Sequence, residues 1–186
     1  EGVEQVELRD LLDAHWAWVM AQAPVWATTL GDHRFDDRID DNSPEAMASQ
    51  RLQRRAWLKK AEKLAPATLS PTDRVTLGLF KESLTADIAS EVCAFEEWNI
   101  SAMENPITRW NVLPRQHLIK SWADAENYLA RVKAIASHID NTSAALARGA
   151  RAGKYANAET ARRVIAMVQG QLGEADHDWP LYEPGR

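Results

Sequence analysis

Between Gly31 and Asn42 the chain reads Gly31-Asp32-His33-Arg34-Phe35-Asp36-Asp37-Arg38-Ile39-Asp40-Asp41-Asn42. Five aspartates in so short a span raise the question of calcium. An EF-hand loop needs acids at alternate positions, a central glycine and a terminal glutamate, and this stretch lacks the last two. Arg34 and Arg38 instead point to internal ion pairing. Arg34, Asp36, Asp37 and Arg38 form the candidate binding group, with two acids flanked by two arginines. The expectation is that at least one arginine holds a carboxylate of this loop, or of a neighbouring helix, through a bidentate pair. The pairing would leave the loop either packed or facing a ligand. The effect of Asp37→Ala on unfolding separates the cases, because a surface pair contributes about 0–1 kcal/mol and breaking a buried one costs about 3–5 kcal/mol.

Other chemistries find less support. The five histidines, His15, His33, His117, His138 and His177, include no i, i+4 pair and no His-Glu-x-x-His, so a zinc site is not expected within the chain. The single cysteine, Cys93, cannot form an internal disulfide. It reads as a small buried side chain late in a helix, away from the N-terminal dipole that would activate a thiol. No Gly-x-Ser-x-Gly, Ser-x-x-Lys or phosphate-binding glycine loop occurs. Arg51, Arg54, Arg55, Lys59, Lys60 and Lys63 crowd one segment around Trp57. Such a stripe could meet phosphates, but a solvated helix face is the simpler reading.

The elements that must position these groups are helical. Leu8, Leu11, Leu12, His15, Trp16, Val19 and Met20 repeat at three and four, predicting a helix over about 6–23 that Pro24 ends or restarts. Ser43-Pro44-Glu45 is a helix start with serine as cap and proline at the first helical position. That helix should reach about Leu64. Ser70-Pro71-Thr72-Asp73 repeats the signal, with Asp73 placed to answer the cap. Leu77, Phe80, Leu84, Ile88, Val92 and Phe95 then predict a helix to about Glu97. Residues 98–120 are irregular apart from a possible short turn, and a connection this long is often functional or partner-contacting. Ser121 with Asp124 opens a fourth helix whose apolar face is Ala125, Tyr128, Leu129, Val132, Ile135, Ala136, Ile139, Ser143, Leu146 and Ala147. A fifth starts near Asn157 and carries Ala161, Val164, Ile165, Val168 and Leu172, and Gly173 should stop it. Trp16 and Trp122 fall at packing positions. The apolar tail from Trp179 should dock on something or connect to a part not present here.

The composition agrees. Glycine and proline number 8 each among 186 residues, which favours helix. Hydrophobic content of 45% with 26% charged residues excludes a disordered chain. The net charge of −5 gives no pull toward nucleic acid. No run of 18 apolar residues suggests a membrane span. The expected fold is all-α, an irregular bundle of about five main helices with long connecting loops, forming a single helical domain over 1–186.

Several segments together resemble a known family. They are Pro24 with Ala27-Thr28, the Gly31-to-Arg38 loop, and Asp41 with Ser43. Glu97-Trp98-Asn99-Ile100, Asp124 with Tyr128-Leu129-Ala130-Arg131-Val132, and Val164 with Gln171-Leu172 before Trp179-Pro180-Leu181 follow in order. Their order and spacing resemble the N-terminal part of the bacterial family called domain of unknown function 885. The resemblance implies a mostly helical, zinc-metallopeptidase-like protein, longer than this chain. Its His-Glu-x-x-Pro-Gly-His-His-type helix lies in a C-terminal part that has no counterpart here, so no catalytic or metal-binding residue carries over. Zinc would belong to that missing part, with no cofactor in this chain.

Two readings of function follow. In the first, the chain is the non-catalytic N-terminal lobe of a zinc peptidase-like protein and walls one side of a substrate cleft. Its partner is then the C-terminal catalytic part of the same protein or another chain, and a peptide is its ligand. In the second, it is a stand-alone helical peptide- or protein-binding module. A complete small enzyme with an unusual site ranks behind both. The resemblance suggests a periplasmic, secreted or lipid-anchored location. A lobe should also leave an apolar surface uncovered.

Overall fold

A computed structural model describes residues 2–185. The fold is all-α: among the described residues there are eight α-helices, short 3-10 turns, and no strand. The helices are α1 (Val6–Gln22), α2 (Pro24–Thr29), α3 (Pro44–Glu62), α4 (Pro71–Ser90), α5 (Pro106–Asn111), α6 (Leu113–Gln116), α7 (Trp122–Arg151) and α8 (Ala158–Leu172). No helix is long and apolar enough to cross a membrane.

The start signals work locally as their chemistry requires. Ser43 Oγ accepts from the Ala46 N–H at 3.2 Å, and Ser70 Oγ from the Asp73 N–H at 3.2 Å. Ser121 and Asp124 cap each other reciprocally at the start of α7. Pro24 begins α2 as its first residue. Gly31 then takes a left-handed φ of +86°, which lets the Asp32 N–H reach back to the Ala27 carbonyl at 2.9 Å and close the helix end.

The chain condenses into two compact units. The first comprises the chain up to Gln22 together with Ser43–Ala94, that is α1, α3 and α4. Its core is apolar: Leu8, Ala61, Leu69 and Leu77 are buried, with Leu11, Leu12 and Phe80 against them. Asp73, fully buried, does not answer its own cap. Its carboxylate accepts the N–H groups of Glu4 and Gln5 at 3.2 and 2.9 Å, and so fixes the entry to α1. His15 packs among Trp18, Trp57 and Phe80 at centroid distances of 5.6, 5.6 and 4.9 Å.

The second unit comprises Ala23–Asn42 and the chain from Phe95 onward. Ile39, Trp110, Leu113, Tyr128 and Ile135 form its apolar cluster. α7 and the 3-10 turn Phe95–Glu97 approach closely at Gly149, where a Cβ would stand 1.9 Å from the Glu97 carbonyl oxygen. The Tyr128 hydroxyl donates to the Leu181 carbonyl at 2.8 Å, docking the C-terminal tail on α7.

Several expected faces are corrected. α4 stops at Ser90 rather than near Glu97, because the chain turns through Ala94 at a φ of +43°. Val92 and Phe95 are therefore exposed, and Cys93, expected inside, is on the surface. Trp16 is half exposed because the inward face of α1 carries Trp18. Trp122 is exposed because it is the first residue of α7. On α8, Ile165 and Leu172 lie outside while Val164 and Gln171 lie inside. The buried line of α7 is Tyr128, Arg131, Ile135, His138, Ala145 and Gly149. It runs beside the apolar stripe that the pattern favoured, and it contains an arginine and a histidine.

Candidate functional site

The acidic loop divides into an outer and an inner face. On the outer face Arg34 makes the expected bidentate pair. Its Nε and Nη2 donate to Asp32 Oδ1 and Oδ2 at 2.8 and 2.6 Å. Hydrogen bonding from Arg34 holds the Asp32 carboxyl below its usual range and raises the Arg34 guanidinium. Arg38 and Asp37 form a loose, exposed pair at 3.6 Å. Both guanidinium groups lie 5.0 Å from the Phe35 ring centroid.

Of Arg34, Asp36, Asp37 and Arg38, Asp36 alone points inward. Its carboxylate accepts from the Thr28 hydroxyl at 2.5 Å and pairs with His33 Nδ1 at 2.8 Å. Behind it lies Arg131 of α7, the largest fully buried side chain of the second unit. Arg131 Nε donates to the Arg38 carbonyl at 2.9 Å, and Nη2 to the Thr28 hydroxyl at 2.6 Å. Nη2 also reaches the carbonyls of Pro24 and Phe35 and, at 3.4 Å, Asp36 Oδ1. Nη1 donates to His117 Nδ1 at 2.8 Å. Since a guanidinium can only donate, His117 Nδ1 must accept, so its Nε2–H donates to the Asp124 carbonyl at 2.9 Å. That is the neutral imidazole. Burial lowers the His117 pKa, and the adjacent Arg131 charge lowers it further. Burial also lowers the Arg131 pKa, opposed by Asp36 and Asp37. The four residues singled out in the loop are thus not brought together. Asp36 joins a buried latch on Arg131, while Arg34, Asp37 and Arg38 stay outside.

A second constellation gathers at the end of the loop. Asp40 Oδ2 accepts from Arg109 Nη2 of α5 at 2.7 Å and from His138 Nε2 of α7 at 3.3 Å. Burial alone would raise the Asp40 pKa, but the bonds and charges of His138 and Arg109 outweigh it and pull it down to about 2. The carboxylate is therefore ionised at neutral pH. The Arg109 guanidinium lies 5.3 Å from the Trp110 ring centroid, and Trp110 meets His138 edge-on at 4.9 Å. Asn42 Nδ2 donates to the His138 carbonyl and to Thr142 Oγ1, which pins the end of the loop to α7. Asp40, Arg109 and Trp110 line a cleft of about 270 Å³ that Val25, Trp26 and Val112 wall on their apolar sides.

Spacing could not find this cleft. Arg109 and Trp110 sit in the long connection, and only its length marked it. Arg131 and His138 sit at helix positions where an apolar residue is the rule. On α3 the basic stripe resolves into local contacts: Arg54 and Arg55 pair with Glu91, and Lys60 Nζ lies 4.2 Å from the ring centroid of the buried Trp57.

A family model described as bacterial protein of unknown function (DUF885) matches residues 24–185. The chain belongs to that family. No curated protein sequence matches it. The matched segment opens at Pro24, and the latch of Pro24, Thr28, Asp36 and Arg131 lies wholly within it. Among the described residues no group of three or more His, Cys, Asp or Glu side chains is placed to hold a metal ion.

Proposed function

We propose that this chain is a non-catalytic, ligand-binding helical lobe of a larger peptidase-like protein, and that its second unit walls a substrate cleft. The observation that carries the reading is the cleft beside Asp40 and Arg109. It offers charged groups held in place from behind, next to apolar walls, which is the usual make-up of a small-ligand site. The Arg131 latch supports this role by fixing α2 and the acidic loop against α7, so that Val25, Trp26 and Asp40 keep their places. We read Asp36 as part of that latch, and Arg34, Asp37 and Arg38 as the outer rim of the loop.

The lobe reading also draws support from exposed apolar side chains. Val75 and Leu79 stand one turn apart on α4 at 63% and 66% exposure, and Met103 reaches 85%. Side chains of this kind are what a catalytic part of the same protein, or another chain, would cover. A stand-alone peptide-binding module is the alternative, and it would use the same cleft. Any zinc would belong to a part of the protein outside this chain.

The test is an amide chemical-shift titration of the isotopically labelled chain with short unstructured peptides, with mass spectrometry of the same samples. Shifts centred on Val25, Val112 and Gln116, with the peptides left intact, are the expected result. Shifts elsewhere, or none, would overturn the reading, and peptide cleavage would overturn its non-catalytic part.

A further inference from the structure

The two charged groups of the cleft are incompletely used by the protein. Arg109 engages Asp40 through Nη2 alone, and its side chain is half exposed. A guanidinium has five N–H donors, so Nε and Nη1 remain for a ligand. Asp40 receives both of its bonds on Oδ2. Among the described residues its Oδ1 accepts no hydrogen bond, although the carboxylate is ionised and partly exposed. Trp110 is 3% exposed and lines the cleft, and its indole N–H has no acceptor among the described residues.

The charges of the site already balance. A ligand carrying only a carboxylate would bind Arg109 but set a second negative charge beside Asp40. A ligand carrying only an ammonium would bind Asp40 against the neighbouring guanidinium. A ligand with both groups on one carbon atom avoids each penalty, with its carboxylate on Arg109 Nη1 and its ammonium on Asp40 Oδ1. The cleft's 270 Å³ falls just under the roughly 300–1,000 Å³ of pockets that take drug-sized molecules. It suits a single residue rather than an extended segment. Val25, Trp26 and Val112 offer the apolar wall for a side chain.

We propose that this cleft binds a zwitterionic α-amino acid with an apolar or aromatic side chain, held through its carboxylate by Arg109 and through its ammonium by Asp40. The inference rests on the ligand-binding reading of the second unit and names the ligand class of that site.

The experiment titrates the labelled chain with L-phenylalanine, N-acetyl-L-phenylalanine and L-phenylalanine amide. The acetyl compound removes the ammonium and the amide removes the carboxylate. Free phenylalanine should shift Val25, Arg109, Val112 and Gln116, and each analogue should bind about tenfold more weakly or worse, as befits loss of a charge-assisted hydrogen bond. Arg109→Gln, at a half-exposed position, should weaken phenylalanine about as much as the amide analogue does in the native protein. Asp40→Asn should do the same for the ammonium, with its thermal unfolding recorded alongside. Because the analogue comparison uses the unaltered protein, it decides the matter even if a variant unfolds. Equal binding of either analogue, or shifts outside the cleft, overturns the proposal. If phenylalanine fails to bind while peptides still shift the cleft residues, the zwitterion is wrong and the ligand-binding lobe stands. If neither binds, both readings fall.

Discussion

The two units solve the same packing problem with different chemistry. The first buries Leu8, Ala61, Leu69 and Leu77 against one another, and Asp73, the one fully buried charged side chain among its described residues, serves to start a helix. The second surrounds a buried arginine with a histidine ring, a threonine hydroxyl, three carbonyls and a carboxylate. Apolar contacts are non-directional and tolerate adjustment. A buried guanidinium is stable only while every partner stays in place. The first unit should therefore degrade gradually under substitution, and the second abruptly.

Arg131→Ala should have the largest effect. It strands Asp36, leaves His117 Nδ1 without its donor and opens a cavity, for a cost of about 3–5 kcal/mol. Denaturant unfolding measures the loss, and hydrogen exchange locates it. Protection should fall in α2, α5 and α7 before α3 and α4. A uniform fall would break the comparison, since the units would then be unfolding as one.

Gly149→Ala comes next, also in the second unit. The added methyl would collide with the Glu97 carbonyl, and forcing such atoms apart costs about 1–3 kcal/mol. In the first unit, Asp73→Ala removes the acceptor for two N–H groups at the entry to α1 and should cost about 1–2 kcal/mol. Fraying should be confined to the start of α1 by the same exchange measurement. Spread of the damage into α3 would show that the first unit is less forgiving than its apolar core suggests.

The pH dependence sharpens the contrast further. His117 in the second unit and His15 in the first both have pKa values lowered by burial. In each case the unfolded chain binds a proton that the folded chain resists. Their contribution is complete above about pH 6.5 and is lost as pH falls toward the folded value. His117→Gln should flatten the stability profile between about pH 7 and 5 in the second unit only. Persistence of the full slope in that unit would show that His117 is not its source. At lower pH, Asp40 adds a further loss as the solution passes from the unfolded carboxyl's value toward about 2. The smallest effect belongs to Asp37→Ala. Both members of its pair with Arg38 are more than half exposed, so the change should be about 0–1 kcal/mol. A loss above 3 kcal/mol would place the load on the outer face of the loop rather than on Asp36.

Much of the secondary structure was legible because it is decided within a few residues. Ser43, Ser70, Ser121 and Asn157 each accept from N–H groups two or three positions ahead, so short motifs contain both partners of the bond. The bidentate Arg34–Asp32 pair was foreseeable on the same grounds. The end of α4 was not: the turn at Ala94 carries no glycine to announce it. The cleft was legible only as a long connection, since Asp40 and Arg109 are separated by 69 positions.

The amino-acid order by itself determined that this protein is helical, where most of its helices begin, and that an arginine of the Gly31-to-Asn42 loop pairs with a carboxylate close by. Only the tertiary structure decided which face of α7 turns inward. A periodicity of apolar residues favours Leu129 and Ile139, yet these are exposed while Arg131 and His138 are buried. The reason is energetic. Burying a charge is unfavourable unless oxygens and a counter-ion surround it. Those that surround Arg131 come from Pro24, Thr28, Phe35, Asp36 and Arg38, from 93 to 107 positions away along the chain, where no local pattern can reveal them.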